Sequence, residues 1–194
     1  MRRARTAAAA VLGAALCAAA AAAPAAAAAV PHGSGVFGTW RTGPAGLPTY
    51  RYTLDEERDA RARQPELAGS TDAWHQVGND HVVANAYNHG YVQLWSQDRL
   101  YQWANYNEPA GQHFSGGFGW LRVDGKVHST LYADRDRGAQ TQRDFGVGYF
   151  ARHTPAGGVD VDERVFAPFG DDPILLHEVT LTNNSRSTKT ASWF

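Results

Sequence analysis

The sequence predicts an all-β antiparallel sandwich. Apolar and polar residues alternate in short runs, which is the period of a half-buried strand. Turn residues separate these runs at short, regular intervals. Eight or nine such runs with short connections, and no convincing amphipathic helix, favour two packed antiparallel layers.

Residues 1–29 have the organisation of a secretory signal peptide. Three arginines come first, an Ala-rich apolar core follows, and small residues end the segment near Ala29. A transmembrane anchor is the alternative, but the segment is rich in Ala rather than Leu and contains Pro24. We therefore predict a secreted, extracellular protein whose mature chain covers 30–194, exported by either the Sec or the twin-arginine route.

The composition of the mature chain argues against disulfides and against a nucleic-acid partner. The full sequence has one cysteine, Cys17, which lies in the predicted signal, so we expect no disulfide in the exported protein. Loss of the three signal arginines takes the formal net charge from −1 to −4. This weak acidic balance without a basic cluster argues against a nucleic-acid partner.

Turn residues locate the strands in the first part of the mature chain. A Gly-rich segment covers 36–47, and a charged run over 53–65 is predicted to be a loop or one short helix. Asn88-His89-Gly90 predicts a hairpin between strands 81–87 and 91–95. A strand over 100–106 follows. Asp124-Gly125 is a strong two-residue hairpin signal between strands 118–123 and 126–132.

The C-terminal part is predicted to form longer strands. Residues 145–153 pair with 159–165 across a turn at 155–158, and valines alternate with charged residues in the second strand. A corner over 167–173 leads to a strand over 174–182, and another strand begins at Thr188. The sequence ends inside that strand, on Ala-Ser-Trp-Phe. We expect this end to leave an apolar, unpaired edge, and we expect the chain to be the front part of a longer protein.

Several motifs, taken in order, resemble the family 94 glycoside phosphorylases, the relatives of cellobiose and chitobiose phosphorylase. The match spans roughly 36–194. Its motifs are Trp74-His-Gln-Val-Gly-Asn79, Gly90-Tyr91, Asp98-Arg99, Trp103-Ala-Asn-Tyr-Asn107, Gly117-Phe-Gly-Trp-Leu-Arg-Val-Asp124, Phe145-Gly-Val-Gly-Tyr149, Val165-Phe-Ala-Pro-Phe-Gly-Asp-Asp-Pro173 and Glu178-Val-Thr-Leu-Thr-Asn-Asn-Ser185.

The resemblance implies a β-supersandwich of the galactose-mutarotase-like type, truncated at its C-terminal end. In that family the sandwich packs on an (α/α)6 helical barrel, which supplies the catalytic acid and most sugar contacts. Nothing in this sequence resembles the barrel, so the chain alone is expected to be inactive. The implied partners are an oligosaccharide, such as a β-linked glucan, and the missing barrel, with a homodimer of the full-length parent left open. No cofactor is implied, and the export signal favours a secreted hydrolase over a phosphorylase.

The candidate catalytic groups favour structural roles. Glycoside cleavage needs two carboxyl groups across the bond, and the obvious carboxylates are Glu163, Glu178, Asp171 and Asp172. His177-Glu178 would suit an epimerase, but neighbours on a strand point to opposite faces. The histidines show no metal-binding spacing, so no metal site is predicted.

Aromatic and amide residues give the best candidates for sugar contacts. Sugars present flat C–H faces and hydroxyl groups, which aromatic rings and planar amides recognise. We expect Trp95 and Tyr91, rather than Trp120, to lie outside the core. The candidates are Tyr91, Trp95, Trp103, Asn105, Tyr106 and Asn107.

Three hypotheses stay open at this point. The first is a sugar-binding or barrel-docking sandwich of a secreted glycoside hydrolase or phosphorylase. The second is an epimerase or hydrolase in its own right, and the third is a structural interdomain module without sugar affinity. Sugar bound at Trp95 or Trp103 would favour the first hypothesis over the third.

Overall fold

The computed structural model describes residues 38–53, 73–100, 102–105 and 116–194. Within these ranges the chain forms strands and two short 3-10 turns, Pro44–Gly46 and Tyr132–Asp134. No helix in these ranges is long and apolar enough to cross a membrane. The predicted signal peptide and residues 54–65 of the charged run lie outside them. The strands are β1 Gly38–Thr42, β2 Pro48–Tyr52, β3 Trp74–Gly78, β4 Val82–Tyr87, β5 Val92–Ser96, β6 Gln102–Trp103, β7 Trp120–Val123, β8 Lys126–Ser129, β9 Gln142–Gly146, β10 Tyr149–Ala156, β11 Val159–Phe166, β12 Leu176–Asn183 and β13 Ala191–Trp193.

The strands form three antiparallel sheets. The largest has the order β1-β2-β9-β10-β11-β12, and the others have the orders β3-β4-β5-β6 and β13-β7-β8. Side chains of β3, β4 and β5 pack against Phe150 and Val165 of the large sheet. Side chains of β7 and β13 pack against another part of it, around Val159 and Val161. The two small sheets therefore cover one face of the large sheet, and the prediction of an all-β antiparallel sandwich is confirmed.

The described residues include two buried apolar clusters, each built by strand alternation. On β11, Val161 and Val165 are buried whereas Asp162 and Arg164 are exposed. Burying one valine or leucine side chain contributes about 1.5–3 kcal/mol. The first cluster comprises Val77, Ala84, Ala86, Val92, Phe150 and Val165. The second comprises Leu121, Val123, Ala156, Val159 and Val161.

Buried charged residues lie between the two clusters along the large sheet. Arg152 on β10 lies opposite Glu163 on β11, and both side chains point inward. Arg143 on β9 lies opposite Arg152 on its other side. The three residues are only 1–3% exposed. Arg152 is paired with Glu163, as a buried charge requires. Arg143 donates to the Asn88 carbonyl at 2.7 Å and lies over the rings of Tyr52 and Tyr132.

Residues 145–153 are not one strand, so that prediction is wrong. The strand β9 ends at Gly146, a two-residue turn follows, and β10 begins at Tyr149 opposite Gly146. Gly148 takes a φ of 76° in this turn, a conformation that glycine adopts readily. The turn lacks the Asn-Gly or Asp-Gly pair on which hairpin predictions depend.

Pro155 also lies inside β10 rather than in the predicted turn. It pairs with Asp160 of β11, and Gly157 and Gly158 make the turn. Among the described residues, β10 has no strand beside Pro155 on its other edge, because the β9 pairing ends at His153. A proline at such a place removes no ladder hydrogen bond.

Both termini of the described chain contain pairings that the sequence did not indicate. The predicted Gly-rich segment holds β1, which forms a hairpin with β2. The last strand, β13, pairs with β7, and Phe194 exchanges two backbone hydrogen bonds with Trp120 at 3.0 and 3.1 Å. The final strand was expected to be unpaired, and this expectation is wrong for the edge of β13 that pairs with β7.

Candidate functional site

The outward face of the four-stranded sheet carries aromatic and amide side chains. Strand alternation places Val77, Ala84 and Val92 in the core. The intervening residues therefore point away from the large sheet. On β3 to β6 the outward side chains are Trp74, Gln76, Val83, Asn85, Tyr87, Gln93, Trp95 and Trp103. We call this surface the aromatic–amide face.

Trp95 and Trp103 form a corner at one side of this face. They lie opposite each other in the β5–β6 register. Their ring centroids are 4.8 Å apart and their planes meet at 80°. Trp103 is 48% exposed. The two indoles thus present a flat surface beside a wall, an arrangement suited to a ligand with an apolar face.

A depression of about 530 Å³ lies beside this corner. Its walls are Gln76, Val83, Asn85, Gln97 and the two tryptophans. This volume lies within the range of small-molecule sites. Asn85 is only 9% exposed, and its Oδ1 has no hydrogen-bond partner among the described residues. A buried amide oxygen without a donor costs about 1–3 kcal/mol. Because this oxygen is itself buried, a ligand hydroxyl could reach it only after the Asn85 side chain shifts.

The predicted site residue Asn105 has a structural role in this face. Its Oδ1 accepts a hydrogen bond from the Leu94 amide at 2.7 Å, and its Nδ2 donates to the Val92 carbonyl at 2.8 Å. The side chain thereby continues the pairing of β5 beyond the end of β6. The strand predicted over 100–106 is reduced to Gln102–Trp103 among the described residues.

The other predicted contacts have different outcomes. Tyr91 is 0% exposed, so the expectation that it lies outside the core is wrong. Its ring stacks on Tyr87 at 4.4 Å and lies 6.2 Å from that of His89. Tyr106 and Asn107 lie outside the described residues. The structure therefore brings together Trp95 and Trp103, with Asn105 holding their strand. Sequence analysis did not select Asn85, although its outward position between Ala84 and Ala86 could have indicated it.

A second cluster of chemically active groups lies in the core around Glu163. Arg152 donates to both carboxylate oxygens, from Nε to Oε2 at 2.6 Å and from Nη2 to Oε1 at 2.5 Å. Thr130 and His177 donate to Oε1 at 3.2 and 3.0 Å. Arg152 also donates to the carbonyls of Gly90 and Gly117, one in each of the loops that lead to β5 and β7. The pair thus links the large sheet to both small ones.

The electrostatics of Glu163 favour a permanent carboxylate. Burial is the largest influence and raises the pKa of this carboxyl. The charge of Arg152 and the hydrogen bonds from His177 and Arg152 oppose it, and together they lower the pKa below its ordinary value of 4.5. A carboxylate whose two oxygens are both occupied is a poor acid and a poor nucleophile. We therefore assign Glu163 to stability.

Glu178 does not share a site with His177. His177 points inward to Glu163, whereas Glu178 lies opposite Arg164 on the outward face of the large sheet. The prediction that His177 and Glu178 occupy opposite faces is confirmed. No group of three or more potential ligands for a metal ion occurs among the described residues. The outward face of the large sheet is instead charged, with Arg51 bound to Asp144 by two hydrogen bonds of 2.6 Å.

The comparisons with known proteins give no family assignment. No protein-family model matches the sequence, and no curated protein matches it. The resemblance to family 94 glycoside phosphorylases stays a prediction from the motifs.

Proposed function

We propose that this chain is a carbohydrate-binding β-sandwich of the galactose-mutarotase-like type. It would belong to a secreted glycoside hydrolase- or phosphorylase-like protein that acts on β-linked glucans or other oligosaccharides. Bond cleavage would take place in an (α/α)6 barrel, no helix of which occurs among the described residues. The chain alone would bind sugar without turning it over.

The observation that supports this proposal is the Trp95–Trp103 corner beside the depression. The corner supplies the ring surface on which sugar C–H groups stack. The amides of Gln76, Asn85 and Gln97 supply donors and acceptors for hydroxyl groups. Adjacent exposed aromatic rings such as these form a patch, and contiguous apolar patches, unlike single exposed residues, mark interaction sites.

The test is a calorimetric titration of the purified chain with cellohexaose. Trp103→Ala should weaken binding about 2- to 12-fold, because one lost aromatic contact is worth about 0.5–1.5 kcal/mol. Trp103→Phe keeps a ring and should lose less. Trp120→Ala is the matched control, since Trp120 is 41% exposed but lies on β7, outside the aromatic–amide face.

Two results would contradict the proposal. One is an absence of binding by cellohexaose and by other neutral glycans at millimolar concentration. The other is an equal loss of affinity in the Trp103 and Trp120 variants. Either would favour the structural interdomain module. Hydrolysis of a glycoside by the purified chain, abolished by Glu163→Gln in a folded variant, would instead favour the independent enzyme.

A further inference from the structure

The aromatic–amide face has aromatic groups at both ends of a diagonal. In the strand registers Trp103 lies opposite Trp95, Trp95 opposite Val83, and Trp74 opposite Tyr87. Trp74 and Trp95 are thus two strands apart laterally and four residues apart along the strands. With strands about 4.8 Å apart and a rise of about 3.3 Å per residue, their backbones are about 16 Å apart.

Amide side chains occupy the middle of this diagonal. Gln76, Asn85 and Gln93 lie opposite one another on β3, β4 and β5. They therefore form a row across the sheet between the two aromatic ends. Asn85 is at the centre of the row, and its buried Oδ1 has no donor among the described residues. A hydroxyl group above the middle of the diagonal would supply that donor once the Asn85 side chain turns toward the ligand.

The described side chains of the face are also uncharged. None of its outward side chains on the described parts of β3 to β6 is acidic or basic. A sugar acid or a sulfated glycan would need an Arg or Lys partner, since charged hydrogen bonds provide the recognition of such groups. Exposed Arg99 lies in the turn between β5 and β6 rather than on the face, and exposed Arg164 lies on the large sheet, on the opposite side of the sandwich.

We propose that the ligand of this face is an uncharged oligosaccharide that lies across β6, β5, β4 and β3, from the Trp95–Trp103 corner over Asn85 to Trp74. This inference depends on the proposed function, because it specifies the class of sugar that the same face binds. A single sugar ring cannot reach from the corner to Trp74, which is 52% exposed. The face is thus matched to several consecutive units of a chain.

The experiment compares ligands of increasing length and of different charge. Calorimetric titrations of the full chain would use glucose, cellobiose, cellotetraose, cellohexaose and oligogalacturonate. Affinity should increase at least about tenfold from cellobiose to cellohexaose, because the longer ligand gains the Trp74 contact and the amide row. Oligogalacturonate should bind more weakly than cellohexaose at every salt concentration.

Two variants separate the two ends of the diagonal. Trp74→Ala should weaken cellohexaose several-fold and leave cellobiose unchanged, whereas Trp103→Ala should weaken both ligands. Asn85→Leu should weaken cellohexaose and also raise the melting temperature, because it removes a buried oxygen that lacks a donor. Trp120→Ala again serves as the control.

The possible results distinguish this inference from the proposed function. Equal affinities for cellobiose and cellohexaose, or an unchanged affinity of the Trp74 variant, would overturn the diagonal chain and leave a small-sugar site at the corner. Tighter binding of oligogalacturonate than of cellohexaose would overturn the neutral ligand. Absence of binding by every sugar would overturn the proposed function, and this inference with it.

Discussion

Arg152→Met should be among the most destabilising substitutions in the protein. The guanidinium donates five hydrogen bonds, to Glu163 Oε1 and Oε2, to the carbonyls of Gly90 and Gly117, and to Thr130 Oγ1. Methionine fills a similar volume but donates none of them. The two carbonyls left without a donor cost about 1–3 kcal/mol each. The loss of one partner of a buried ion pair typically costs about 3–5 kcal/mol in total.

Urea unfolding monitored by tryptophan fluorescence would measure this effect. The free energy of unfolding should fall by about 3–5 kcal/mol, and the melting temperature by about 6–20 °C for a chain of this size. Arg164→Met is the matched control, because Arg164 on the neighbouring strand is exposed. It should change stability by less than about 0.5 kcal/mol.

A double variant distinguishes loss of the ion pair from loss of packing. Arg152→Met with Glu163→Leu removes both charges, so it should be more stable than Arg152→Met alone. If Arg152→Met lowered the free energy of unfolding by less than about 1 kcal/mol, the claim that Arg152 and Glu163 form a buried ion pair would be refuted. A double variant less stable than the single one would refute the claim that an unpaired charge causes the loss.

Three further predictions concern the same framework. The Glu163 carboxyl has a folded-state pKa below 4.5, so its contribution to the free energy of unfolding is complete above about pH 4.5 and is lost as the pH falls through the folded pKa. Urea unfolding at several pH values should show this loss of stability, and Glu163→Gln should flatten the pH dependence. Asn105→Ala should lower the free energy of unfolding by about 1–2 kcal/mol and speed hydrogen exchange at the Leu94 amide, from which Asn105 accepts a hydrogen bond. Unchanged exchange at the Leu94 amide would argue that Asn105 does not extend the strand pairing. Gly117→Ala should lower the free energy of unfolding by more than about 3 kcal/mol, because φ is 77° and the new Cβ would lie 2.4 Å from Val92. Gly125 has φ 87° but open space around it, so Gly125→Ala should cost only about 1–2 kcal/mol. Equal losses of stability in thermal melts of the two variants would contradict the close packing at Gly117.

The sequence predicted the fold class because its turns and alternation agree. The hairpins around Asn88-His89-Gly90 and Asp124-Gly125 are present at β4–β5 and β7–β8. The turn at Gly148 was missed because the apolar and aromatic pattern continues through it without an Asn or Asp. Pro155 was placed in the turn because proline is excluded from the interior of a sheet. It fits inside β10 because β9 ends before it, and the end of β9 is a property of the three-dimensional arrangement.

The candidate site was predicted in part. Trp95 and Trp103 were selected by residue type, and the structure places them side by side. Tyr91 was placed outside the core by extending the alternation of β5, but that strand begins one residue later and the ring is buried. Glu163 was treated as a possible catalytic group, although it occupies the same inward phase as Val161 and Val165. That phase was the available signal of a buried carboxylate.

The most direct test of sugar binding by the aromatic–amide face is a titration of the ¹⁵N-labelled full chain with cellohexaose, followed by heteronuclear NMR. We predict that the largest shift changes will fall on the indole N–H groups of Trp95 and Trp103 and on the amides of β3 to β6. The outward face of the large sheet, around Asp144 and Arg164, should remain unchanged. A spectrum without changes, or with changes centred on the large sheet, would contradict the account.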